Sequence, residues 1–299
     1  MDKNTRRIGR TWAGGLIAWL AAGFGMLVLA AGMLASPSAS AQVSGTKHNL
    51  GKDGTGVNKF DGTTEICVFC HTPHGSDVTA AVPLWNRKLG TPASYTTYNS
   101  LGTSSLDGMT APVGSVSLAC LSCHDGTQAM NVLLNTPNSG TVATGMAGNW
   151  TGANQTAGAI AVGMSNLGVD LKSDHPVGIQ YAGGPKLGTA PAAGVAYTAT
   201  MFNDAAFAPA SSDEINGMPV WWVDTGTAGL TTREKTDMQL YTRNNANYMN
   251  KDNTVNAGTI TGSQPFVECA SCHDPHSSEG LFLRIANTGS KVCLACHIK

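Results

Sequence analysis

Apolar and polar residues follow one another along this chain without a sustained period. The first ten residues, MDKNTRRIGR, carry Lys3, Arg6, Arg7 and Arg10, and an uncharged run rich in Leu, Ala and Gly follows from Thr11. That run closes at Ala39-Ser40-Ala41, a small-residue cleavage site, so residues 1–41 read as a signal peptide and Gln42 as the first residue of the exported chain. The run is also long enough to span a bilayer, which keeps an uncleaved anchor as the alternative. Beyond it, neither the i, i+3, i+4 recurrence of an amphipathic helix nor the strict alternation of a half-buried strand persists. Residues from about 126 to 265 are rich in Gly, Ala and Thr, and their most apolar point is Trp221-Trp222. The pattern predicts a mostly irregular fold with short helices and little β structure, forming one domain over residues 42–299. Within it, the stretch at about 126–265 reads as an insertion, with Trp221-Trp222 packing in a core.

Charge removes one class of partner. Residues 1–41 hold four of the 18 Lys and Arg and one of the 19 Asp and Glu, which leaves a net charge of −4 beyond them. No basic patch or stripe stands out, so nucleic acid is not an expected partner.

Cysteine usage changes the picture most. All eight cysteines fall in four copies of Cys-x-x-Cys-His: Cys67, Cys70 and His71; Cys120, Cys123 and His124; Cys269, Cys272 and His273; Cys293, Cys296 and His297. Each copy is the attachment signature of a c-type heme. Two thiols three residues apart sit about one helical turn apart, within reach of the two vinyl groups of one porphyrin. The histidine that follows lies under the ring, placed to give iron its proximal nitrogen. No cysteine remains for a disulfide or a zinc site. The expected cofactor is heme c, four per chain, and the segment 126–265 is free of heme motifs.

Histidines match that count. Of eight in total, four follow a Cys-x-x-Cys, leaving His48, His74, His175 and His276, one for each heme. A low-spin heme c iron takes a sixth ligand, usually His or Met. Six methionines lie between Met109 and Met218, none in a distinctive motif, and they read as packing. Four bis-histidine hemes are therefore expected. His74 and His276 come three residues after His71 and His273, in Cys-His-Thr-Pro-His and Cys-His-Asp-Pro-His. Neither has enough chain to travel round the porphyrin to the far face of its own heme, so each is idle or binds a different iron. Pro73 and Pro275 stiffen both tethers. His175 lies in Asp174-His175-Pro176-Val177-Gly178, whose Pro and Gly suggest a fixed turn. The order His48, CxxCHxPH, CxxCH recurs as His175, CxxCHxPH, CxxCH, a weak internal repeat.

The chain resembles the multiheme c-type cytochromes with doubled CxxCH motifs. Among these it is similar to tetraheme subunits of extracellular cytochrome filaments. The resemblance rests on KHNL (47–50), CVFCHTPHG (67–75), PLWNR (83–87), CLSCHDG (120–126), DHPVG (174–178) and CASCHDPH (269–276). It implies closely stacked bis-histidine hemes, little regular secondary structure, and a heme ligand exchanged between neighbouring subunits. His48 lies only six residues beyond Gln42. An arm that gave His48 to a neighbour's heme would make a head-to-tail contact, which propagates unless it closes; the alternative is that His48 folds back onto its own chain.

Three functions compete on these residues. The first is electron conduction as a homopolymer, passing electrons to other redox proteins or extracellular acceptors at the cell surface or outside it. The second is a monomeric periplasmic shuttle. The third is a multiheme reductase, which needs an open iron position that the histidine count does not leave; no enzyme activity is expected.

Overall fold

The computed structural model describes residues 43–79, 82–102, 105–137, 146–174, 177–186, 195–226, 228–244 and 263–298. The signal peptide read at 1–41 and the ligand candidate His175 therefore lie outside the described residues. In chain order the strands are β1 (Lys59–Phe60), β2 (Trp150–Thr151), β3 (Gln155–Thr156), β4 (Ala159–Ile160), β5 (Ile179–Gln180), β6 (Ser211–Ile215), β7 (Met218–Val223), β8 (Met238–Asn244) and β9 (Ser263–Val267). The α-helices are α1 (Ser115–His124), α2 (Cys269–Cys272) and α3 (Lys291–Cys296), and short 3-10 turns fill much of the rest.

The fold is not the mostly irregular one with little β structure that the residue pattern predicts. Among the described residues there are three antiparallel sheets: β1 with β2, β3 with β4, and five strands in the order β5-β9-β8-β7-β6. Two-residue turns build two of the hairpins. Asn216-Gly217 joins β6 to β7 with both residues in the left-handed region, φ 53° and 74°, and Ile215 pairs with Met218 across it. Ala157-Gly158 does the same between β3 and β4, at φ 50° and 84°. Such turns carry the twist of the strands they connect. Alternation along these strands is brief. In β8 Met238 and Leu240 are buried, with Gln239 between them and Tyr241 after them half-buried. In β7 the run Trp221-Trp222-Val223 is buried on both faces, as in a strand covered on two sides.

Residues Gln42–Lys299 form one unit. Its apolar side chains do not make a single core. One cluster gathers Tyr181, Phe202, Trp221, Met238 and Leu240 on the sheet, with Cys272 and Cys296 packed against it. A second joins Val113, Leu118, Leu121, Leu171 and Val177, bordered by Cys269. A third joins Phe60, Phe69, Leu133 and Met146, and a fourth Trp85 and Ala119; Cys70 borders both. These four clusters thus all end on a cysteine of a heme motif. The sheet delivers the third motif directly, because β9 runs through Glu268 into α2. α1 packs against α2 and carries the second motif.

Candidate functional site

The cysteines of each motif lie on a single turn of helix. Cys67 opens a 3-10 turn over Cys67–Phe69, Cys120 and Cys123 lie in the last two turns of α1, Cys269 and Cys272 bound α2, and Cys293 and Cys296 lie in α3. After α2 and α3 the chain leaves the helix at the proximal histidine: His273 and His297 are extended, at φ −106°, ψ 140° and φ −97°, ψ 128°. A returning strand segment then pairs with it. Asn86 N–H donates to the Cys70 carbonyl (2.9 Å) and Thr72 N–H to that of Leu84 (2.9 Å). Arg284 N–H to Cys272 (2.9 Å) and Asp274 N–H to Phe282 (2.8 Å) repeat the arrangement. So do Ala208 N–H to Cys296 (2.7 Å) and Ile298 N–H to Ala206 (3.0 Å). The first, third and fourth proximal histidines are therefore held by the same backbone clip, at His71 with Trp85, His273 with Leu283 and His297 with Phe207.

The clip also orients the ring. Nδ1 of His71 lies 2.9 Å from the Pro83 carbonyl and Nδ1 of His273 lies 2.8 Å from that of Leu281. His124 has the same bond to the Ser165 carbonyl at 2.7 Å. A carbonyl accepts only from N–H, so each of these imidazoles carries its proton on Nδ1 and leaves Nε2 free for metal, the usual outer-shell arrangement of a ligating histidine. His297 has no such partner among the described residues; its ring lies 4.4 Å from that of Phe207. These carbonyl partners had no side-chain signature, although Pro83 lies in the PLWNR stretch already noted.

Two spare histidines face proximal ones. The rings of His71 and His276 have centroids 6.3 Å apart and an interplanar angle of 12°, and those of His124 and His48 are 6.3 Å apart at 75°. Two imidazoles bonded to one metal from opposite sides, with bonds of about 2 Å and ring radii of about 1.15 Å, have centroids about 6.3 Å apart. The spacing of both pairs would admit an iron between the rings. Within this chain the His48 ring lies beside that of His124. Burial, then the facing His124, hold its pKa down at about 4, so the ring is neutral and able to ligate at neutral pH. His74 is exposed and faces no other imidazole among the described residues.

Sulfurs of successive motifs are neighbours. Burial and then the nearby Cys123 push the Cys70 thiol up to about 12. Cys120 and Cys269 hydrogen-bond to one another, which raises the first and lowers the second. Burial raises Cys272, with Cys293 adding to it. Thiols of the first and second, second and third, and third and fourth motifs thus lie near enough to influence one another.

The surroundings fit a heme. The indole N–H groups of Trp85, Trp221 and Trp222 are buried without a hydrogen-bond partner among the described residues. Buried N–H groups are normally satisfied, and heme propionates are carboxylate acceptors. Trp85 stands edge-on to His71, at 6.2 Å and 88°. A cleft of about 780 Å³ opens beside the first motif, lined by Cys67, His71, His74 and Asn135 among others. A family model described as "Doubled CXXCH motif" matches residues 264–299, which contain the third and fourth motifs. The match supports a multiheme c-type cytochrome. Such a motif would attach heme c covalently through its cysteines, with the histidines as candidate iron ligands, and the heme would supply one-electron chemistry suited to electron transfer. No curated protein matches the chain.

Proposed function

We propose that the chain binds four bis-histidine hemes c, carries electrons along them, and does so as the subunit of an extracellular filament. The observation that carries the reading is the pair of facing imidazoles at 6.3 Å, His71 with His276 and His124 with His48. Irons ligated on both sides exchange electrons and have no position open to a substrate, so the protein acts as a conduit and not as a reductase. The proximity of Cys70 to Cys123, Cys120 to Cys269, and Cys272 to Cys293 supports one continuous path.

Head-to-tail assembly draws support from the two histidines left over. We place the exchanged ligand at His74, because the His48 ring lies beside His124 of the same chain. It is exposed beside the cleft at the first motif, while His297 faces no imidazole among the described residues. His297 is flanked by Leu294 and Ile298, 53% and 56% exposed, an apolar surface that a neighbouring copy would cover. His74 of one copy would then complete the fourth heme of the next, and His175 would serve the third, on Cys269 and Cys272. Electron microscopy of the purified native protein tests this reading, with filaments expected. His74→Ala should give soluble monomers with one heme lacking a protein sixth ligand and three intact. A wild-type monomer that shows four bis-histidine hemes at high dilution would replace the filament with a periplasmic shuttle.

A further inference from the structure

We propose that His276 is the sixth iron ligand of the heme held by Cys67 and Cys70, parallel to His71, and that His48 is the sixth ligand of the heme held by Cys120 and Cys123, perpendicular to His124. The assignment rests on the heme reading above and adds which histidine closes which iron, and how its ring is turned.

Each ligand has a fixed plane and a free Nε2. Nδ1 of His276 lies 3.3 Å from Oδ1 of Asp274, and Asp274 is itself paired with Lys235 at 3.5 Å. Nδ1 of His48 lies 3.4 Å from the Pro275 carbonyl, and its ring stacks on Phe282 at 4.0 Å and 16°. Such outer partners hold a ligating imidazole in one orientation. The short tether between His273 and His276 keeps His276 from the far face of its own heme, and the 6.3 Å approach to His71 supplies the iron it serves. The segment from Pro275 to Phe282, which follows the third motif, thus closes the first heme and props the ligand of the second. Three hemes share one stretch of backbone.

The two angles, 12° and 75°, have different electronic consequences. Parallel imidazole planes donate into the same iron d orbital and split the dxz and dyz pair, which gives a ferric low-spin heme a rhombic resonance. Perpendicular planes leave that pair nearly degenerate, so orbital momentum survives and the resonance becomes highly anisotropic.

Electron paramagnetic resonance of the oxidised holoprotein reads both. His276→Ala should remove one rhombic component and add one high-spin signal, leaving the highly anisotropic component in place. His48→Ala should do the reverse. In a Cys67→Ala, Cys70→Ala background, which lacks the first heme, His276→Ala should add no high-spin signal. If that signal persists there, His276 serves another iron and the assignment fails. Should the alanine variants not accumulate, His276→Met keeps a ligand at the site; its methionine–iron charge-transfer band should appear with the first heme and vanish without it. Covalent heme measured by intact mass separates the two levels. Wild-type protein without heme would overturn the functional reading, whereas a full complement with misassigned ligands overturns only this inference.

Discussion

Arg243 offers the sharpest test of how the sheet holds the heme motifs. Its side chain reaches from β8 to Glu268, the residue that joins β9 to α2. Nε and Nη2 both donate to Glu268 Oε1, the first at 3.0 Å, and Ser117 Oγ on α1 donates to Oε2. The Glu268 side chain is completely shielded from water, whereas that of Arg243 is 18% exposed. Gly114 stands so close that a Cβ there would lie 2.5 Å from Nη1 of Arg243, so only glycine leaves room for the guanidinium. The ion pair ties together β8, the start of α1 and the start of α2, and with them the second and third motifs. Replacing Arg243 with Met strands a buried carboxylate, and breaking a buried pair in this way costs about 3–5 kcal/mol. At about 2–4 °C of melting temperature per kcal/mol for a domain of this size, the expected loss is about 6–20 °C.

The pH dependence has a definite sign. Burial already raises the Glu268 carboxyl above its ordinary value, opposed by Arg243 and by the Ser117 hydroxyl. Without the guanidinium it rises further. A folded pKa above the unfolded one means that the native state binds more protons in that window, so stability falls as pH rises through it. Arg243→Met should therefore lose more at pH 7.5 than at pH 5. Glu268→Leu in the same chain should recover much of the loss, because a buried pair replaced by apolar side chains is close to neutral. Thermal unfolding followed by far-ultraviolet circular dichroism reads all three. A shift under about 2 °C at both pH values, or a double variant no more stable than the single one, would refute the reasoning.

Three further outcomes are expected. Intact mass of the native protein should exceed the apoprotein by four hemes, and Cys269→Ala with Cys272→Ala should remove one; three or fewer in the wild type contradicts the count. Gly217→Val forces a β-branched residue into the left-handed region at φ 74°, so chemical denaturation should show a loss of about 1–2 kcal/mol or more with heme spectra unchanged. Leu121 is fully buried against Val113, Leu118 and Leu171, so Leu121→Ala should lower stability by about 2–5 kcal/mol in the same assay, whereas a loss under about 1 kcal/mol would mean that the site collapses around the missing atoms.

The attachment chemistry could be read from the residues because it is local. Two thiols and a histidine within five positions meet one porphyrin whatever the rest of the chain does, and the surplus of four histidines over four motifs is plain in the composition. The tether argument is local too: three residues cannot carry His276 round its own heme. The hairpin at Asn216-Gly217 was not among those expectations: an Asn-Gly pair suits a two-residue hairpin loop, but the residues of alternation beside it are too few to stand out as strands. Which proximal histidine His276 and His48 each approach is a different matter. His276 meets His71, and His48 meets His124, across long separations in sequence, and those meetings depend on how β9, α1 and α2 are pinned through Glu268, Arg243 and Ser117. The carbonyls of Pro83, Ser165 and Leu281 that set the proximal rings are backbone atoms, identical in every residue, so only the path of the folded chain decides which of them arrives beside an imidazole. Local covalent geometry is encoded in residue spacing, whereas ligand pairing and ring orientation are products of packing, and packing is settled by the chain as a whole.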